Sequence, residues 1–242
     1  YKNGVCKFRF VAMEVAYTLR DDCHAGTPPI AMTRYVISDA ATEEEDGEVK
    51  VLAVGDITCA FLHAEMPADE PPIYLIFPEG LAPPGARGRL ECSHYGTRRA
   101  SLLWSGYVAR KMKRRGFRRL KGCPQAYQHP PKKVKSIVHG DDFFSSVVRS
   151  SVEWLQKALG QDYKLKFFSV VGPGSELRFT TFLNRTVSYE AAIFSSGAGY
   201  RYTPDLKHID RAVAAYGLEA AKPVAAPGVK DGGAKLGNAL DE

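Results

Sequence analysis

Val134-Lys-Ser-Ile-Val-His-Gly-Asp-Asp-Phe-Phe-Ser-Ser-Val-Val148 decides how this chain is read. Val134 to Val138 and Phe143 to Val148 are short runs rich in β-branched and aromatic residues, which predicts two strands. His139-Gly-Asp-Asp142 between them is a short polar turn with a glycine, which predicts a β-hairpin. Asp is common in turns for its own sake. Two adjacent carboxylates between apolar strands nevertheless repel one another, and a nearby cation would relieve them. A third carboxylate lies upstream. Lys50-Val-Leu-Ala-Val54 predicts a short buried strand that runs into Gly55-Asp56. A charge at the end of such a strand is costly unless it is exposed or liganded. Hard carboxylate oxygens suit Mg²⁺, which takes few protein ligands and prefers substrate phosphates for the rest. A strand-end Asp56 and a hairpin Asp141 brought together would suit two such ions, an arrangement that serves in-line phosphoryl transfer.

Outward from this pair, Thr27-Pro-Pro29 is a turn, and Ile30 to Thr42 predicts a helix with Ile30, Tyr35, Val36 and Ile37 in the core. Ala60-Phe-Leu62 starts a helical turn, Ile73 to Phe77 is a strand, and Pro78 to Gly88 is a Pro/Gly-rich loop. Ala100 to Arg115 predicts a helix. Ser150 or Ser151 is the expected cap of another, running to about Leu159. Tyr163 to Phe168 and Arg178 to Tyr189 are each expected as one strand. Asp205 to Tyr216 predicts a helix capped by Thr203 or Asp205, and the chain is Ala/Gly/Pro-rich from Lys222 onward, as in a linker. Val5 to Leu19 fits strand or helix.

The 242 residues are 45% hydrophobic and 25% charged, which excludes fibrous and wholly disordered classes. No apolar run approaches the roughly 20 residues of a membrane helix, and the start lacks the pattern of a secretory signal. Five cysteines without a CxxC pair disfavour a disulfide scaffold, and Cys92/His94 with Cys123/His129 match no zinc-finger spacing. An intracellular location, cytoplasmic or nuclear, is expected. The net charge of +6 is concentrated in Arg110-Lys-Met-Lys-Arg-Arg-Gly-Phe-Arg-Arg-Leu-Lys121. A phosphate backbone is one partner for such a stretch, and a solvated helix face or a nuclear-import signal explains it equally well. The sequence has no GxSxG elbow and no Walker-type phosphate loop.

Several blocks in order resemble copia-type retrotransposon reverse transcriptases. Val54-Gly-Asp-Ile-Thr-Cys-Ala-Phe-Leu-His-Ala-Glu65 followed by Ile73-Tyr-Leu-Ile-Phe-Pro-Glu-Gly80 resembles the first catalytic block. Tyr95-Gly-Thr-Arg-Arg-Ala100 with Trp104, Gly116 and Phe117 resembles the next, and Val138-His-Gly-Asp-Asp-Phe143 the metal-binding hairpin. Trp154-Leu155, Tyr163-Lys-Leu-Lys166, Phe182-Leu-Asn184 and Lys222-Pro-Val-Ala-Ala-Pro-Gly-Val-Lys230 continue the order, so the resemblance covers roughly residues 7 to 230.

The resemblance implies an α+β right-hand polymerase fold. It would have an antiparallel palm sheet with helices on one face, fingers and a partial thumb. Residues 1–50 and 67–95 would be finger parts, and 51–66 the first catalytic strand of the palm. Residues 96–190 would be palm with the catalytic hairpin, 191–221 a thumb-like segment, and 222–242 a linker toward a ribonuclease H region. It implies RNA-directed DNA polymerase activity, a nucleotidyl transfer from deoxynucleotides to a primer 3′-hydroxyl with two Mg²⁺ ions, or Mn²⁺ in their place. Asp56, Asp141 and Asp142 would be catalytic, with Asp56, Asp141 and Ile57 holding metal. Phe61 would crowd a ribose 2′-hydroxyl. Lys7, Arg9, Tyr95, Gly96, Arg98, Lys164 and Lys166 would meet the nucleotide, one of the last two lysines protonating pyrophosphate. Trp104 would line the template side. Arg110, Lys111, Lys113, Arg114, Arg115, Arg118 and Arg119 would meet nucleic acid. Implied partners are a primed RNA or DNA template, deoxynucleotides and the rest of a Pol polyprotein, including ribonuclease H and integrase, from which both ends of the chain would be cut. Met13, His94, Arg99 and Ser101 depart from the family pattern. They keep open a second expectation, a decayed fragment that only binds nucleic acid.

Overall fold

Every residue from Lys50 to Ile57 is buried, and together they form the central strand β1. Helix α1 (Ile30–Ala40) precedes it, and a 3₁₀ turn at Ala60–His63 follows. The computed structural model describes residues 10–15, 23–194 and 197–222. Onward come β2 (Tyr74–Ile76), β3 (Arg87–Arg89), α2 (Ala100–Arg114), β4 (Arg118–Arg119), β5 (Ala126–His129), β6 (Val134–His139) and β7 (Asp142–Val148). The remaining elements are α3 (Val152–Asp162), β8 (Leu165–Val171), β9 (Phe179–Phe182), β10 (Arg185–Phe194), β11 (Gly197–Thr203) and α4 (Leu206–Ala215).

The result is a mixed α/β architecture. Its main sheet has six antiparallel strands in the order β4-β5-β6-β7-β1-β8. Strands β9 to β11 form a second sheet, and β2 pairs with β3. Among the described residues there are four α-helices, none long and apolar enough to cross a membrane. The chain divides at Pro204/Asp205 into two compact units; of the second, α4 is described, and the Asp205 carboxylate caps it by accepting from the Lys207 N–H.

The sheet is covered on both faces, which corrects the expectation of helices on one face. Val51, Ala53 and Ile57 point into a core with Trp104, Val108 and Met112 of α2 and Leu155 and Leu159 of α3. Leu52 and Val54 point the other way, into a core with Val36 and Ala40 of α1 and with Phe182 and Val187 of the second sheet. A strand apolar on both sides needs cover on both.

On the α1 side a polar network crosses the apolar layer. Asp39 pairs with Lys135, accepts from the Ser146 hydroxyl at 2.7 Å and lies 3.5 Å from Lys50. Burial opposes ionisation of Asp39. The hydrogen bonds from Lys135 and Ser146 and the charges of Lys135 and Lys50 outweigh it and hold the carboxyl below its usual range. The network ties α1 to β1, β6 and β7.

Other differences have local reasons. Ile30 and Tyr35 are exposed rather than core, because α1 turns only the Thr33–Val36–Ala40 stripe inward. Ser151 stands at the α3 N-terminus without a side-chain cap bond, and the Ser150 hydroxyl is taken by Glu48. The single strand expected over Arg178 to Tyr189 is a hairpin, with Leu183 and Asn184 both at positive φ between β9 and β10. Neither residue is glycine, so the turn signal was weak. Strand β10 runs straight through residues 190–191, where the thumb-like segment was expected to begin. Most of Val5 to Leu19, and all but Lys222 of the linker expected over 222–242, lie outside the described residues.

Phe144 is fully buried and stacks on Phe182, with ring centroids 4.4 Å apart, joining the main sheet to the second. Phe144→Ala is expected to lower unfolding stability by about 3–5 kcal/mol. Denaturant titration checks this, and a loss below about 1 kcal/mol would mean the two sheets are not coupled through this pair.

Candidate active site

Register builds the site. In the β1–β7 ladder Asp56 stands directly opposite Asp142. Both follow the alternation that puts Val54 and Phe144 on the α1 side, so the two carboxylates share a face. The β6–β7 connection is a two-residue turn, Gly140-Asp141, between the paired residues His139 and Asp142. Gly140 takes φ 62°, which glycine adopts without strain. The Ile57 N–H donates to the Asp141 carbonyl at 3.0 Å, which pins the turn against the end of β1. Ile57 itself points its side chain into the core, so only its main chain can take part in chemistry.

Lys166 closes the site from the other side. Strand β8 pairs with β1 through a register shift between Asp56 and Ile57, and Lys166 forms an ion pair with Asp56. Its ammonium is held above the ordinary lysine range, first by the Asp56 hydrogen bond and then by the charges of Asp56, Asp141 and Asp142. Burial, followed by the charges of Asp141 and Asp56, pushes the Asp142 carboxyl up to about 6, with Lys166 opposing. Asp141 is exposed at the tip, while Asp56 is buried. Among the described residues no three His, Cys, Asp or Glu side chains converge as a ligand set.

Trp104 is core rather than template lining. It is buried on α2, and its indole N–H donates to the Gly140 carbonyl at 2.6 Å, a strut from helix to hairpin tip. The sequence carries no signal for that hydrogen bond beyond an aromatic on an apolar helix face.

Phe61 and Tyr95 are brought together with ring centroids 4.7 Å apart. The Tyr95 carbonyl accepts from the Ala12 N–H at 2.7 Å, and Gly96 takes φ 87°. A Cβ on Gly96 would stand 1.8 Å from the Ala12 carbonyl oxygen, so only glycine fits. The Arg98 N–H donates to Glu14 at 2.7 Å. Lys164 is exposed, and its carbonyl accepts from the Thr58 N–H. Of the two lysines, Lys166 is the one engaged with the acids. Lys7 and Arg9 lie outside the described residues.

Two of the residues that depart from the resemblance, Arg99 and His94, have structural partners. Arg99 pairs with Glu70, and the His94 ring nitrogen lies 3.1 Å from the Phe10 carbonyl. Met13 is 89% exposed.

The basic stretch divides into two groups. Helix α2 ends in a Schellman motif, Gly116 N–H to the Lys113 carbonyl and Phe117 N–H to the Met112 carbonyl, with Met112 and Phe117 packed together in the core. Arg115 donates at 2.6 Å to both Asp162 and Gln161, and Lys111 lies 3.6 Å from Asp162. These two cations tie α2 to the end of α3. Arg119 donates to the Pro124 carbonyl and, at 3.5 Å, to the Ser105 hydroxyl. Arg110, Lys113, Arg114 and Arg118 are exposed.

No protein-family model matches the sequence, and no curated protein matches it. Among solved structures, the chain is similar to telomerase from Candida albicans in complex with a TWJ fragment of telomeric RNA. The match has a TM-score of 0.40 at 10% identity and covers 70% of this chain and 34% of that one. The chain thus spans about a third of the telomerase chain.

Because the folded-state pKa of Asp142 lies above its ordinary value of 3.8, the folded protein holds this proton more tightly than the unfolded chain. Its charge therefore costs stability as pH rises from about 4 to about 6. Asp142→Asn is expected to leave Tm unchanged near pH 4 and to raise it at pH 7 by on the order of 3 °C in metal-free buffer. Thermal melts at the two pH values check this; an equal shift at both would contradict it.

Proposed function

We propose that this chain is the palm and part of the fingers of an RNA-directed DNA polymerase from a retrotransposon polyprotein. The observation that carries the proposal is the direct pairing of Asp56 with Asp142, beside Asp141 at the turn of a braced hairpin. The order of sequence blocks through which these carboxylates are distributed supports it further.

The residues fit Mg²⁺. The donors are hard oxygens, like charges crowd one strand end, and burial, followed by the charges of Asp141 and Asp56, raises the Asp142 pKa. A two-carboxylate set completed by substrate phosphates is what Mg²⁺ prefers over a cage built wholly from protein. Asp56 and Asp141, with the main chain of Ile57, would hold two Mg²⁺ ions, or Mn²⁺ in their place. When bound, the metal would supply charge stabilisation to the phosphoryl group under attack and to the departing pyrophosphate.

The rest of the mechanism falls to the chain's own side chains. Asp142 supports the turn and sets the local charge. Lys166 holds a proton within reach of the acids and would give it to the leaving pyrophosphate. Phe61, buttressed by Tyr95, would form the wall against a ribose 2′-hydroxyl and so favour deoxynucleotides. Tyr95, Gly96 and Arg98 would flank the nucleotide. The exposed cations Arg110, Lys113, Arg114 and Arg118 would follow the phosphate backbone of a primed RNA or DNA template, while Lys111 and Arg115 hold the fold. Ribonuclease H and integrase would be the companion modules of such a polyprotein.

One observation favours a second reading, a fragment that binds nucleic acid without turnover: Lys166 already takes an oxygen of Asp56.

Primer extension on an RNA template with Mg²⁺ and deoxynucleotides decides between them. The polymerase reading expects extension by the native chain and at least an order-of-magnitude loss, on the scale of 10²-fold, in Asp141→Asn and Asp56→Asn. No extension, or equal extension by the variants, leaves only the binding reading. Binding itself is expected to weaken steeply with salt. Arg110→Gln and Arg114→Gln should each lower the slope of log K against log salt by about one. Arg115→Gln should instead lower Tm with little change in slope. A salt-independent affinity would remove the exposed cations from the interface.

A further inference from the structure

A cavity of about 550 Å³ opens between α1 and the β10–β11 hairpin, wholly inside the first compact unit and lined by none of the residues assigned above to catalysis or nucleic-acid contact. Arg34 of α1 and Arg185 of β10 both line it, and among the described residues no acidic side chain does. The acids nearest in sequence are already engaged. Asp39 serves Lys135, Lys50 and Ser146, and Glu190 takes Arg201 at 3.0 and 3.1 Å through both oxygens. Two like charges therefore face one cavity without a counter-charge among the described residues, an arrangement that an anion would relieve.

A third donor sits with them. The Tyr202 ring lies 5.4 Å from the Arg185 guanidinium, and its hydroxyl is buried with no hydrogen-bond partner among the described residues. Buried hydroxyls are rarely left without a partner, and such an atom beside an open cavity marks a place for a ligand oxygen. Burial raises the Tyr202 pKa, and the charges of Arg185 and Arg34 oppose the rise, so both cations act on that hydroxyl. The remaining walls are of another kind. Ile37, Ala41 and Ala198 are apolar, and the Tyr200 ring is held by its hydrogen bond to the Val171 carbonyl at 3.2 Å.

Two guanidinium forks match the charge and oxygen geometry of a phosphoryl dianion; a single carboxylate would neutralise only one of them. The volume is far larger than a bare anion needs and falls within the range of small-molecule sites, about 300–1,000 Å³. We infer that this cavity binds a phosphate monoester of nucleotide size, with its phosphoryl oxygens on Arg34, Arg185 and the Tyr202 hydroxyl and its organic part against the apolar wall. The inference stands apart from the polymerase reading, since no residue is shared.

Isothermal titration of the full chain in EDTA, which removes metal-dependent binding at the acids, tests it with adenosine 5′-monophosphate as the probe. One-to-one binding is expected, with adenosine at least about tenfold weaker and a short oligonucleotide lacking terminal phosphate also weaker. Arg34→Gln and Arg185→Gln should each weaken the monophosphate about tenfold, Tyr202→Phe severalfold, and Asp56→Asn not at all. Arg34 is exposed, so its variant is expected to fold even if that of Arg185 does not, and circular dichroism melts identify a folding failure. Equal binding of adenosine and the monophosphate, unchanged affinity in Arg34→Gln, or an oligonucleotide that binds as tightly as the monophosphate would each overturn the assignment.

Discussion

A strand buried on both faces that ends in a carboxylate is the constraint on which this structure turns. From Lys50 to Ile57 β1 offers no solvent-facing side, so both faces of the sheet must be covered: α2 and α3 on one, α1 and the second sheet on the other. The same burial makes Asp56 expensive. It is met by Lys166 from β8, and β7 brings Asp142 directly opposite. Antiparallel pairing on both sides of β1 thus does two tasks at once. It completes the core, and it gathers charge at one end of the sheet.

The surrounding parts serve to keep that gathering in place. Three like charges near one strand end repel one another, and burial together with the charges of Asp141 and Asp56 raises the pKa of Asp142. Opposing the repulsion are the Ile57 N–H on the Asp141 carbonyl and the Trp104 indole on the Gly140 carbonyl. Trp104 can hold the tip because α2 is itself anchored, by the Schellman end at Gly116 and by Arg115 and Lys111 on Asp162. Part of the basic stretch is therefore architecture, which is why its charge does not translate residue by residue into contacts with a polyanion. A neutralised Arg115 also costs packing at the α2–α3 junction.

Much of this was legible along the chain where signals are local. The hairpin around Gly140-Asp141, the helices α1 and α2 to within two residues, and a cap for α4 at Thr203 or Asp205, of which the structure uses Asp205, follow from turn chemistry, helical periodicity and capping. Legibility failed where a signal depended on a distant partner. The Leu183-Asn184 turn takes two left-handed residues without a glycine, and the neighbouring Phe182 is anchored by stacking on Phe144. Ile30 and Tyr35 look like core residues by hydropathy, but α1 shows the sheet only its Thr33–Val36–Ala40 stripe. Strand β11 starts with the small residues Gly197-Ala-Gly199, and its pairing with β10 decides its conformation.

By itself the sequence determined the residues capable of chemistry: Asp56 at a strand end, Asp141 and Asp142 at a turn, and a cluster of cations before Gly116. Only the tertiary structure decided which of them act together. It paired Asp56 with Asp142 and Lys166, set Trp104 beneath the tip, and spent Arg115 on Asp162. It also brought Arg34 and Arg185, more than a hundred residues apart in the chain, around one tyrosine hydroxyl that has no hydrogen-bond partner among the described residues. The physical reason is range. Turn and helix preferences act over a few residues and can be read in order, whereas electrostatics and hydrogen bonding act through space, between groups that only the register of strands brings side by side.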